Sequence, residues 1–313
     1  VRYPDSGNAA GCRRFHTRCE ASAHRHIVTI PRGISNGIPR WDSKGEAAMT
    51  EFHVLADARG AVPHPEVRRI GLDDISDALR AGIDDFVAMP SHIIFIIIMY
   101  PLIGVVLAAW TSTASALPLI FPLASGFALI GPFAAIGLYE VSRRREQGLE
   151  TTWRHALDVR KSPALPAIAW VGSVMVGIFI AWMLTAQGLY LWLFGPVPPG
   201  SITQFVADVF YTSEGWTLIV VGNLVGFVFA VAALCTGIVA FPLLLDRDVG
   251  AWAAISTSWR AALANPFEIA VWGLIVAALL VIGSIPVFAG LIIVLPVLGH
   301  ATWHLYRRLV EPA

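Results

Sequence analysis

From Phe86 to Tyr139 the chain runs for 54 residues without a single Asp, Glu, Lys or Arg. A helix rises about 1.5 Å per residue, so about 20 apolar residues cross roughly 30 Å of hydrocarbon and this stretch has room for two crossings. The polar Thr111-Ser-Thr-Ala-Ser115 divides it, which predicts span 1 near Ser91 to Trp110 and span 2 near Leu117 to Tyr139. A second uncharged run, Ser162 to Ala207, predicts span 3 from about Leu165 to Leu189. The aromatic Tyr190-Leu-Trp192-Leu-Phe194 and the stiff Pro196-Val-Pro-Pro-Gly200 follow, as an interfacial belt leading into a loop. Span 4 is expected from about Thr217 to Leu245, between Glu214 and Asp246. Beyond Glu268 another 38 residues lack Asp, Glu, Lys and Arg, and Ser284-Ile-Pro286 splits them into spans 5 and 6.

The composition agrees: 56% of residues are hydrophobic and 14% charged, where a soluble domain has roughly 45–50% and about 25%. Helices buried in a soluble protein alternate faces, and these do not. The expected fold is therefore an all-α polytopic membrane protein with six transmembrane helices. An ordinary soluble enzyme is excluded.

The 22 basic and 22 acidic residues cancel, so no global charge favours nucleic acid. Their distribution is more informative. Twelve Lys and Arg precede span 1, six lie between spans 2 and 3, two between spans 4 and 5, and two follow span 6; the other three connections have none. The positive-inside rule then predicts a multi-pass protein of the bacterial cytoplasmic (inner) membrane with both termini cytoplasmic.

Residues 1–48 are rich in Arg, His, Ser and Gly without apolar periodicity, and no signal-peptide pattern is present. We expect a disordered tail, or upstream sequence translated ahead of a start at Met49, followed by an N-terminal cytoplasmic segment over 49–70. Cys12, His16, Cys19, His24 and His26 fall in this tail, but their spacing matches no paired zinc knuckle. Cys235 stands alone in span 4, as a small apolar packing residue.

A unit recurs over about 71–140, 148–246 and 251–308. Leu72, Ile75, Leu79 and Ile83 are spaced 3, 4 and 4, and Trp252, Ile255, Trp259 and Leu263 repeat that spacing before span 5. Leu149, Trp153 and Leu157 keep the register before span 3, and Arg80, Arg154 and Arg260 occupy matching places. These patterns predict amphipathic interfacial helices. Each is closed by a proline, Pro90, Pro163 or Pro266, and each second span carries another, Pro132, Pro242 or Pro296. The reading is three parallel repeats of interfacial helix plus helical hairpin, the middle one with an outside insertion from about Gly195 to Trp216.

No span has an ionisable residue near its centre, which weakens a proton-coupled transporter; Gln187 and Asn223 are the polar entries. Gly222-x-x-x-Gly226, followed by Ala230, puts small residues on one stripe of span 4 and predicts close helix packing. His300 and His304 share a helix face, and with His92 they are the candidates for a metal or haem, with Glu140 and Asp246 at comparable depth. The glutamate of the HExxH pattern is replaced by Ala301, so neither a metal site nor a cofactor is expected, and the histidines read as interfacial. Arg143, Arg144, Arg145, Arg160 and Lys161 form a basic loop that sets topology and can contact anionic lipid head groups or a partner. No P-loop, dinucleotide fingerprint, nucleophile elbow or ordered triad occurs, so no catalytic residue is named and the protein is not expected to be an enzyme.

The stretches Arg69-Ile-Gly-Leu72, Gly131-Pro-Phe-Ala-Ala-Ile-Gly-Leu-Tyr-Glu-Val-Ser-Arg-Arg144 and His300-Ala-Thr-Trp-His-Leu-Tyr306 resemble the bacterial integral-membrane family called domain of unknown function 2189. The resemblance covers about residues 65–310. It implies an inner-membrane protein rather than a reaction, although some members carry the label of a cytochrome c oxidase subunit. A haem-copper core needs several intramembrane histidines, whereas His92, His300 and His304 lie near one interface; an accessory role beside a respiratory complex is compatible. The function these residues support best is a non-enzymatic accessory or scaffold module that organises a membrane complex, a homo-oligomer or lipid. The alternatives are a small-solute transporter or permeation pathway lined by Asn223 and Gln187 and, below it, a haem or metal protein linked to respiration.

Overall fold

The computed structural model of the chain describes residues 65–89, 118–286 and 289–312. The expectations for residues 1–64, for span 1 and for His92 lie outside the described residues. Every regular element among the described residues is helical. In chain order these are α1 (Leu72–Ala88), α2 (Ile120–Ala134), α3 (Ile136–Glu146), a 3₁₀ segment (Trp153–Lys161), α4 (Leu165–Phe194), α5 (Ile202–Tyr211), α6 (Ser213–Gly237), α7 (Ala240–Asp246), α8 (Ala251–Ala264), α9 (Pro266–Ser284) and α10 (Leu291–Leu309).

Among the described residues three stretches are long and apolar enough to cross a membrane: Leu165–Phe194, Ser213–Asp246 and Pro266–Ser284. They match predicted spans 3, 4 and 5. Span 2 is broken at Ala135 into α2 and α3, just beyond Pro132. Span 4 breaks at Ile238 and Val239, between α6 and α7. Pro242 accounts for that second break, because its ring displaces the carbonyl four residues earlier and it has no N–H to donate. The Val239 N–H released there donates to the buried Ser258 hydroxyl of α8 at 3.1 Å. The predicted outside insertion contains α5, whose N-terminus is capped by Ser201 Oγ accepting from Gln204 N–H at 3.1 Å.

α10 changes character along its length. Leu291 to Leu298 is apolar, and from Gly299 onward His300, His304, Arg307 and Arg308 leave the apolar stretch and pack beside α1. That half of α10, together with α1, α3, the 3₁₀ segment and α8, forms a polar cap at one end of the apolar helices, packed against α7 at the end of the Ser213–Asp246 stretch. Most large, fully buried side chains lie in or next to it, including Tyr139, Phe241, Leu244, Trp272, Trp303 and Tyr306.

These segments bury their small-residue faces and leave much of the predicted apolar stripe exposed. α1 buries Ile75, Ala78, Gly82 and Asp85, while Leu72 and Ile83 are exposed. α8 buries Ala251, Ala254, Thr257, Ser258, Ala261 and Ala262, while Trp252, Trp259 and Leu263 are exposed. Between them, Ala156 is buried and Leu149 and Leu157 are exposed. The physical reason is distance: small side chains let two helix backbones approach closely and gain dispersion contacts. A Cβ added at Gly82 would stand 2.6 Å from the Cβ of Ala301, so α1 and α10 touch almost backbone to backbone.

These segments pair in a cyclic order. The 3₁₀ segment lies on α3, α8 lies on α7 and the end of α6, and α1 lies along α10. Each thus rests on helices that precede it in the chain, except α1, which rests on the last helix. Backbone pairing closes the arrangement: Val67 bridges Val310, Arg68 N–H donates to Leu309 O at 2.8 Å, and Glu311 N–H donates to Glu66 O at 3.1 Å. The buried Asn265 carboxamide clamps the same segment, accepting from Ile70 N–H at 2.9 Å and donating to Arg68 O at 3.0 Å.

Candidate functional site

The densest set of buried polar groups lies where α1, α3 and α10 meet. The small-residue face of α1 ends in Asp85, one turn beyond Gly82, so the close approach to Ala301 places its carboxylate against α10. One turn apart on α10, His300 and His304 present a single face to it. α3 supplies Ser142 and Arg145, three residues apart, and its own approach is set by Gly299, where an added Cβ would meet Leu138 Cδ1 at 2.4 Å.

Asp85, Ser142 and His300 are buried. Ser142 Oγ stands 2.6 Å from Asp85 Oδ2 and 2.7 Å from His300 Nδ1. The hydroxyl has one proton, which it donates to the carboxylate, so His300 carries a proton on Nδ1 and donates to Ser142 Oγ. His304 Nε2 donates to Asp85 Oδ2 at 2.8 Å. Arg145 Nη1 donates to Asp85 Oδ1 at 2.8 Å and to the Asp84 carbonyl at 2.8 Å.

Burial alone would raise the Asp85 pKa, but the hydrogen bonds from His304 and Ser142 outweigh it and hold the carboxyl below its ordinary value. Burial pushes the His300 imidazole down to about 4 against the pull of Asp85, and the charges of His304 and Arg145 act in the same direction as burial. His300 is therefore neutral near pH 7.

The three residue types of a hydrolase are present in the wrong order. In a nucleophilic triad the imidazole stands between hydroxyl and carboxylate and takes the hydroxyl proton. Here Ser142 stands between Asp85 and His300, and its proton already belongs to a carboxylate. The arrangement ties three helices together and leaves no activated nucleophile.

Two further acids on the α10 side are used in the same way. Glu146 accepts from Trp303 Nε1 at 3.0 Å and from Arg307 Nε at 2.9 Å. Asp246 accepts from Tyr306 Oη at 2.7 Å and lies 3.3 Å from Arg247 Nε and 3.5 Å from Arg307 Nη1. Arg308 reaches back to α1, 2.6 Å from Asp74 Oδ1 and 3.2 Å from Asp77 Oδ2.

The structure separates the predicted contact residues into two groups. Arg143 forms a forked pair with the buried Glu140, at 2.8 and 3.0 Å, and Arg144 lies 3.7 Å from Glu140 and 3.8 Å from Asp158. With Arg145 on Asp85, these three are held inside the cap. Arg160 and Lys161 are exposed on the 3₁₀ segment, Arg160 on the Leu157 carbonyl at 3.3 Å and Lys161 on Asp158 at 2.7 Å.

His300 and His304 serve hydroxyl and carboxylate partners, and among the described residues no three His, Cys, Asp or Glu are grouped to hold a metal. Gly226 packs on the Trp182 ring of α4, where an added Cβ would stand 3.0 Å away, and Gly222 faces Leu189. Ala230 is exposed. Asn223 is exposed and donates to its own helix at Ile219 O, 2.7 Å away. Gln187 Oε1 is buried without a hydrogen-bond partner among the described residues.

Sequence reasoning gave no site role to Asp85, Ser142 or Asn265, and read Trp303 as an interfacial anchor. Asp85 did leave a signal, since it continues the Ile75, Ala78, Gly82 stripe at helical spacing, an acid on the small face. Residues 120–246 match the model of a family described as a predicted integral membrane protein family, DUF2189. The match includes the Gly131 to Arg144 motif and ends before the His300 motif. No curated protein and no solved structure matches the chain.

Proposed function

We propose that this chain, an integral membrane protein that matches the DUF2189 family over residues 120–246, is a non-enzymatic accessory module that organises a membrane complex or a patch of lipid. The observation that carries this reading is the Asp85, Ser142, His300 and His304 cluster: its buried polar groups are engaged with one another, as a clasp requires. The apolar helices supply the other half of the argument. Trp170, Leu184, Leu224, Phe227, Val228 and Leu274 are large, apolar and exposed on them, and surface of that kind is covered by acyl chains or by other helices. The cyclic pairing of the interfacial segments supports three parallel repeats and six crossings. The cap carries the described Lys and Arg residues, which supports a cytoplasmic cap and an inner-membrane location.

The test is purification of the protein from native membranes in mild detergent, with mass spectrometry of accompanying proteins and lipids. A defined companion at near-stoichiometric amount is the expected result. The transport reading rests on Gln187 Oε1, a polar atom buried in an apolar helix. Solute flux in proteoliposomes decides between them: the module reading requires flux equal to that of empty vesicles.

A further inference from the structure

The three interfacial segments present the same kind of outer surface and differ in charge. α1 exposes Leu72, Ile83 and Val87 beside Asp73 and Asp84, which repel anions. α8 exposes Trp252, Trp259 and Leu263 beside a single cation, Arg260, which donates to Pro65 O at 3.3 Å and Thr257 Oγ1 at 3.1 Å. The middle segment exposes Leu157, flanked by Arg154, Arg160 and Lys161. Its acid, Asp158, is taken up by Lys161 at 2.7 Å and Arg144 at 3.8 Å. Arg154, Leu157, Asp158, Arg160 and Lys161 line an open groove of about 590 Å³.

The position of this groove fixes its depth. Lys161 precedes the first residue of the 30-residue apolar helix α4 by four positions, and Ser162 Oγ accepts from Ala164 N–H at 3.2 Å just ahead of that helix. A basic groove at the foot of a membrane-crossing helix stands at head-group level, with the exposed Leu149 and Leu157 beside the start of the acyl region. We propose that the 3₁₀ segment is a binding site for the phosphate of an anionic phospholipid, held by Arg154, Arg160 and Lys161 and with its chains lying over Leu157. Guanidinium and ammonium donors match phosphate oxygens, and the leucines select a lipid over a free phosphate ester. The proposal rests on the module reading above and names the lipid class that the module would hold.

The probe is the full-length protein in detergent, titrated with phosphatidylglycerol or phosphatidylcholine and read by native mass spectrometry. The wild-type chain is expected to retain phosphatidylglycerol over phosphatidylcholine by about tenfold. Combined Arg154→Gln, Arg160→Gln and Lys161→Gln should bring that ratio close to one, and Leu157→Ser should lower retention of both lipids. Arg68→Gln, at an exposed pair with Glu311 3.2 Å away, should leave the ratio unchanged. Soluble glycerol phosphate should fail to displace the lipid. A wild-type ratio near one, an unaltered ratio in the triple variant, or displacement by glycerol phosphate would each overturn the site. A stoichiometric protein companion in the native preparation would leave the module reading standing after such a result, so the two fail separately.

Discussion

In the cap, a methyl group added at Gly82 would stand 2.6 Å from Ala301, whereas along α4 Gly177 has nothing within 4 Å of the same position. The cap buries small residues of α1 and α8 together with large ones such as Tyr139, Trp303 and Tyr306, and its buried Asp85 and Glu140 are paired. Of the most apolar window of the α6–α7 crossing, only 6% is buried inside the protein. Water drives the cap to pack, because its polar groups must be satisfied and its apolar surface removed. Lipid exerts no such force on the long helices, whose backbone bonds are internal and whose side chains are already solvated by chains of the same polarity. A protein built this way keeps its fold in the cap and its contact surface in the membrane.

The largest effect expected follows from removing Asp85. Asp85→Ala leaves Ser142, His304 and Arg145 without their shared carboxylate, and breaking a buried charge network costs about 3–5 kcal/mol. Thermal unfolding in detergent should fall sharply, and hydrogen exchange should rise in α1 and the second half of α10 while α4 keeps its protection. Uniform loss of protection across both regions would erase the distinction between them.

Acid should weaken the same junction. His300 faces Asp85 from α1, Ser142 and Arg145 from α3 and His304 on its own helix, and its pKa drops from 6.5 to about 4 on folding. The unfolded chain therefore takes up the proton first, so stability is complete above about pH 6.5 and falls as pH drops toward 4. A shift of this size corresponds to about 3 kcal/mol. Asp85 adds a loss in the same direction at lower pH, because its folded-state pKa is depressed. A pH series of melting temperatures reads this directly, and His300→Gln should flatten the curve between pH 6.5 and 4.

Much of this architecture was legible in the sequence, and the unread part has a common cause. The absence of charge over Ser162 to Ala207 located α4, and Pro163 and Pro266 marked where the next helices begin. Charge and proline act locally, so they can be read locally. The apolar period picked out Leu72 and Ile83 as the apolar stripe of an interfacial α1, and both are exposed; the buried Ala78 and Gly82 face went unread, because close approach to Ala301 depends on smallness, which hydrophobicity scales do not weigh. The clasp was hidden for a further reason. Ser142 is 57 residues from Asp85 and 158 from His300, and no short motif spans those distances.

A pair of glycine substitutions sharpens the comparison at moderate cost. Gly82→Ala forces a methyl into the α1–α10 contact, and overpacking of this kind costs about 1–3 kcal/mol. Gly177→Ala meets no neighbour and should raise helix stability by up to about 1 kcal/mol. Opposite signs in the melting temperatures of the two variants are expected, and matching signs would mean that α4 is packed as tightly as the cap.

The smallest effect belongs to the outer face of α6. Leu224, Phe227 and Val228 are all exposed there, Leu224 at 63%, so Leu224→Ala or Val228→Ala removes contacts only with detergent or lipid and should change unfolding free energy by no more than about 0.5 kcal/mol. Thermal melts of the purified variants measure this. The same variants in native membranes answer a different question, because a face that costs nothing in the isolated chain can still be occupied in the cell. If crosslinking to a companion protein falls while the melting temperature holds, the face is a docking surface. If neither changes, lipid covers it, and the partner of the module must be sought at Trp252, Trp259 and Leu263 on the outer side of the cap.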